Sequence, residues 1–174
     1  LTTKPDSRVV SANQCSVANG TTYQSYEFNT TQNNEGWVHL YSISNPSNSP
    51  ISGYLEGFST TLDPMFQKSS LSIDSNFVSK IVVRARFKNA PHAMMQLFWR
   101  SNISGGLHES NSERISINKG TSNSYSSWAE YTFNVSSNSG WIGTINQLRL
   151  DPFQTGTPDN GGSYVQIDYI RLVK

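Results

Sequence analysis

The stretch KIVVRARFK, residues 80–88, alternates strictly. Ile81, Val83, Ala85 and Phe87 fall on one side of an extended chain, and Val82, Arg84, Arg86 and Lys88 on the other, the period of two of a β-strand. The same holds at 94–100 (MMQLFWR), where Met95, Leu97 and Trp99 oppose Met94, Gln96, Phe98 and Arg100. At 147–152 (QLRLDP), Leu148 and Leu150 oppose Gln147, Arg149 and Asp151. Each strand therefore offers one apolar face to a sandwich interior and a second face bearing Arg, Gln or an aromatic.

Working outward, short alternating or apolar runs recur near 23–29, 37–43, 52–59, 80–89, 93–101, 113–118, 128–135, 145–151 and 164–173. Clusters of Gly, Asn, Ser and Pro separate them, at 45–50, 102–106, 119–127, 136–140 and 155–162. Such segments carry turn chemistry. The expectation is all-β: one antiparallel β-sandwich of jelly-roll type over 23–174. Residues 1–22 hold few large apolar side chains and read as a linker or lead-in. Residues 64–77 are ambiguous, a loop with a short helical turn.

Composition agrees. The chain has 174 residues, enough for one sizeable core, with 35% hydrophobic and only 14% charged residues. Ser, Asn and Thr (28, 17 and 13) fill the gap, and twenty aromatics are too many for a disordered chain. No apolar run reaches the length of a membrane span. A net charge of +1 excludes a generic nucleic-acid or membrane binder. Yet no carboxylate occurs between Asp74 and Glu109, whereas Lys80, Arg84, Arg86, Lys88 and Arg100 all do, so a local basic surface is expected there. The lone Cys15 excludes an internal disulfide and a Cys-based zinc site. No signal peptide opens the chain, and without an initiating Met it reads as a piece of something longer.

At the C-terminus the residues become specific. The run Trp141 to Pro152 (WIGTINQLRLDP), a Gly-rich turn, and Val165 to Leu172 (VQIDYIRL) resemble the ending of galactose-binding-like carbohydrate-binding modules. These are jelly rolls appended to bacterial polysaccharide lyases and glycoside hydrolases. AMMQLFWRS at 93–101 and WAEYTFNV at 128–135 are similar to their central strands. The resemblance implies a non-catalytic polysaccharide-binding role, a linked catalytic domain as partner, and a secreted or cell-surface bacterial protein. It also implies a structural calcium, with Glu27 and Asp168 at the matching positions of the first and last strands. An isolated carboxylate among apolar neighbours is costly, and a hard cation would neutralise it.

Recognition needs ring faces for sugar C–H surfaces and planar hydrogen-bonding partners for hydroxyls. Trp99 and Tyr54, near strand ends, are the first candidates, with Trp37 and Tyr125 next and Trp128 and Trp141 read as core. Gln96, Arg84, Arg86, Arg100 and Arg149 lie opposite the core by alternation. Several arginines brought together would suit a uronate or sulfate; dispersed, they leave a neutral glucan, xylan or galactan equally open. A small jelly-roll polysaccharide lyase is the alternative, with His39, His92 or His108 as base, Tyr41, Tyr54 or Tyr125 as acid, and Arg84 and Arg86 neutralising a uronate. A glycan-independent adhesion or spacer module is the third.

Overall fold

The computed structural model describes residues 20–41, 43–45, 50, 53–59, 63–153 and 162–174. Cys15 and most of the expected lead-in, together with most of the turns expected at 45–50 and 155–162, lie outside these residues. Eleven strands are described: β1 (Thr22–Tyr26), β2 (Trp37–Tyr41), β3 (Leu55–Ser59), β4 (Pro64–Lys68), β5 (Ile73–Asp74), β6 (Lys80–Lys88), β7 (Met94–Ser101), β8 (Ser112–Ser116), β9 (Ala129–Phe133), β10 (Thr144–Asp151) and β11 (Ser163–Val173).

The alternation of 80–88 appears directly as burial: Ile81, Val83, Ala85 and Phe87 are buried and the residues between them are half-exposed. β6 is central in the first sheet, flanked by β9 on one side and β11 on the other. The far edge of β11 is shared, its first half pairing with β3 and its second half with β1. The second sheet runs β2-β4-β10-β7-β8, with β5 also paired to β10. Every pairing is antiparallel. Only the steps β4 to β5 and β7 to β8 stay within one sheet; every other connection crosses the sandwich, as a jelly roll requires.

Nine strands fall where the sequence places them. The ambiguous stretch 64–77 instead holds β4, β5 and a single 3-10 turn at Ser75–Phe77, capped by the Asp74 carboxylate accepting from the Asn76 amide. β4 sits between β2 and β10, and its Pro64 occupies the first position, where a missing N–H is tolerated. Its inward Phe66 is 0% exposed and lies where β3 has Gly57. A Cβ on Gly57 would stand 2.7 Å from the Phe66 ring and closer still to Ile43, so the two sheets meet there only because the side chain is absent.

The interior is aromatic. Trp99 and Trp141 meet edge-to-face with centroids 5.2 Å apart, and their indole N–H groups donate to the carbonyls of Gly140 and Val78. Trp37 packs edge-to-face on Tyr26.

Candidate functional site

The outer face of the first sheet gathers side chains from three strands and the segments that lead into β3 and β9. β6 contributes Arg84, Arg86 and Lys88; β11 contributes Tyr164, Gln166 and Asp168; β3 contributes Glu56 and Phe58, with Tyr54 just before it. Trp128 immediately precedes β9 and Tyr125 lies in the loop leading to it. Register explains the meeting. Gln166 is paired with both Arg86 and Glu56, and Ala129 is paired with Ala85, so one row of outward residues crosses the sheet.

The rings and cations interleave. The Arg86 guanidinium lies 4.7 Å from the Trp128 ring centroid and 4.9 Å from that of Tyr125. Arg84 lies 5.3 Å from Trp128, and the Lys88 ammonium 4.2 Å from Tyr164. Tyr54 and Trp128 meet at 6.1 Å, and Phe58 and Tyr164 at 4.5 Å. Beneath them, Arg86 Nε donates to Gln166 Oε1 at 2.7 Å, Gln166 Nε2 donates to Glu56 Oε1 at 3.4 Å, and the Tyr125 hydroxyl donates to the same oxygen at 3.2 Å. Burial, with the Glu56 carboxylate beside it, pushes the Tyr125 phenol well above its ordinary pKa. Arg84 pairs with Asp168. Further along the face, Tyr169 donates to Glu130, and Arg171 stacks on Tyr169 while forking onto both oxygens of Glu27.

Of the residues expected from sequence, Tyr54, Tyr125, Arg84 and Arg86 come together here. Trp99 and Trp37 do not. Both are 0% exposed, so neither ring can meet a ligand, and the expectation is corrected. Trp99 shares the inward face of Met95 and Leu97, and strand alternation outweighs its place near the strand end. Gln96, Arg100 and Arg149 do lie opposite the core, but on the second sheet, the far side of the sandwich. Gln96 is 4% exposed and donates to Glu109 and Ser112. Arg149 stacks on Phe98 and is held by Asp63 and Asp151. Only Arg100 is well exposed there. The reading of Trp128 as core also needs correction. Tyr131 and Phe133 point inward, so the phase of β9 sends Trp128 out with Glu130, a signal present in the sequence. Glu56, Gln166 and Tyr164 were not foreseen, because their neighbours come from distant parts of the chain.

The calcium expectation meets an obstacle in the same geometry. Both oxygens of Glu27 accept from Arg171, and Asp168 accepts from Arg84. Guanidinium groups already neutralise the two carboxylates meant for the ion, and among the described residues no three His, Cys, Asp or Glu stand together as a metal set. The residues as placed do not fit a shared calcium.

Solved structures that resemble this chain include several carbohydrate-binding modules, and the likeness is one of fold, the antiparallel β-sandwich. A family 28 module described as specific for non-crystalline cellulose superposes at TM-score 0.51 with 13% identity, over 80% of this chain and 88% of its own. A low-affinity xylan-binding module of family 86 from Roseburia intestinalis gives TM-score 0.49 and 11% identity, over 87% and 95%. The CBM22-1 xylan-binding domain from Paenibacillus barcinonensis gives 0.46 and 15%, over 91% and 99%. No family model and no curated protein matches the sequence.

Proposed function

We propose that this chain binds a polysaccharide, without cleaving it, on the outer face of the first sheet. The observation that carries this reading is the convergence of Tyr54, Tyr125, Trp128 and Tyr164 on one rigid face beside Glu56 and Gln166. Rings accept the C–H faces of pyranoses, and a carboxylate and an amide between them suit hydroxyl groups. The shared fold with a cellulose-specific module supports the reading.

An uncharged chain suits this face better than a uronate or sulfated one. The acid-free stretch 75–108 made Arg84 and Arg86 look like a basic patch, but folding brings Asp168 and Glu130 beside Arg84 and sets Glu56 beyond Gln166 on the same face. Cleavage finds little support. His39 points between the sheets, its Nε2 2.7 Å from the Glu56 carbonyl, and Tyr125, the phenol next to Arg86, is made harder to ionise by burial. In the wider reading, such a surface would keep a linked carbohydrate-active enzyme of a secreted or cell-surface protein on its substrate by raising effective concentration.

Affinity electrophoresis through gels containing cellulose derivatives, xylan, galactan or polyuronate tests this. A neutral polymer should retard the protein to the same degree at low and high salt, and Trp128→Ala should abolish the retardation. Growth of ultraviolet absorbance from unsaturated uronate would replace the reading with a lyase. Free migration in every gel would leave a spacer.

A further inference from the structure

We propose that Arg84 and Arg86 are positioning residues: they hold the Trp128 and Tyr125 rings in the plane a sugar chain meets, and do not read charge on the ligand. The inference rests on the binding role just proposed for this face, and it assigns the two arginines a task that salt-bridge chemistry alone does not suggest.

The geometry around Arg86 is a closed circuit. Its guanidinium lies against the Tyr125 ring, the Tyr125 hydroxyl donates to Glu56, Gln166 donates to Glu56, and Arg86 Nε donates to Gln166. Both the ring and the hydroxyl of Tyr125 are thereby fixed from one small set of partners. The same guanidinium also lies 4.7 Å from the Trp128 centroid, and Arg84, fastened to Asp168, lies 5.3 Å from it. A ligand carboxylate could draw Arg86 away only by undoing its ring contacts and its bond to Gln166. A sugar that lies against the rings leaves the circuit intact.

Register makes this possible. β6 sends Arg84 and Arg86 outward two residues apart, Gln166 faces Arg86 across one side, and Trp128 sits one residue before Ala129, the partner of Ala85, on the other. Arginine suits the post better than lysine because its planar group stacks on a ring and still donates in its own plane. Lysine would supply the charge without the plane.

The test separates posture from charge. Arg86→Lys keeps the cation, Arg86→Met removes it, and Gln166→Met removes the anchor while leaving Arg86 in place. Arg100→Met, on the opposite sheet, is the control. The first readout needs no ligand: the Trp128 indole N–H resonance, assigned by its loss in Trp128→Phe. It should move in all three circuit variants and stay in Arg100→Met. The second readout is affinity for whichever neutral polymer retards the wild type. It should fall about fivefold in Arg86→Lys as well as in Arg86→Met, the scale expected of a cation–ring contact that remains partly solvated.

Wild-type affinity in Arg86→Lys would overturn the proposal, because a charge reader survives that change. So would an unmoved Trp128 resonance. If the wild type binds no polymer, the binding role fails, while the ligand-free spectrum still decides whether the arginines hold the rings.

Discussion

Asp151 is 7% exposed near the end of β10, opposite Gln96 of β7, with Arg149 of its own strand donating to both of its oxygens. Asp63, just before β4, shares that guanidinium, and Glu109 lies beyond, tied to Gln96 and Arg114. Burial pushes the Asp151 carboxyl up to about 6, outweighing the Arg149 fork that pulls the other way, with Asp63 and Glu109 adding to the rise. A folded-state pKa above the unfolded one means the folded protein holds the proton more tightly. Stability from this group therefore grows as pH falls from 7 through 6 and levels off near 4. Two pKa units correspond to a gain of at most about 3 kcal/mol. Thermal melts of wild type and Asp151→Asn between pH 7.5 and 4 should show the wild type gaining relative to the variant on acidification; parallel curves would refute it. Single residues also mark what the sequence discloses. Alternation sets Trp99 inward with Met95 and Leu97, against the weight given to its place near the strand end, and the phase of β9 sets Trp128 outward, against its reading as core. A residue's side of the sheet is legible locally, whereas its neighbours on that side are not.

β4 carries the same lesson at the level of the element. Its five residues, PMFQK, bury Met65 and Phe66 in succession, so no alternation advertises a strand, and its partners β2 and β10 supply the pairing that makes it one. β11 was easy to read because β-branched and aromatic residues recur along its eleven residues, yet the register shift between Ile167 and Tyr169, opposite the junction where β3 gives way to β1, was not. That shift sets Asp168 and Tyr169 among the outward groups of the face. The packing of β3 against the second sheet depends on Gly57. It faces inward from β3 where Ile43 and Phe66 fill the space. Gly57→Val raises strand propensity but forces a branched side chain into volume held by Ile43 and Phe66, and overpacking of this kind costs about 1–3 kcal/mol. Urea unfolding should show a lower midpoint with an unchanged slope. A midpoint at or above the wild-type value would mean that the sheets can separate at β3 without loss.

Across the molecule, the connections that cross the sandwich decide which charges meet. The stretch from Ser75 to His108 has no carboxylate, yet Asp168 of β11 reaches Arg84; likewise Asp63, just before β4, closes on Arg149 of β10. Sequence spacing cannot disclose such pairs, because β6, β11 and β3 become neighbours only through long-range pairing. The same connectivity bears on calcium. Of the matching positions, Asp168 lies on the last strand and Glu27 just past the end of the first, but Arg84 and Arg171 come with them and neutralise both. An ion binding there must first displace two guanidinium groups, each then left without its carboxylate. Thermal unfolding should therefore be indifferent to metal, with chelator and millimolar calcium giving midpoints within about a degree of each other. An ion bound only by the folded state, at a hundred times its dissociation constant, would contribute about 2.7 kcal/mol and raise the midpoint by several degrees. A rise of that size, reversed by chelator and lost in Asp168→Asn, would show that calcium replaces the arginines at this edge.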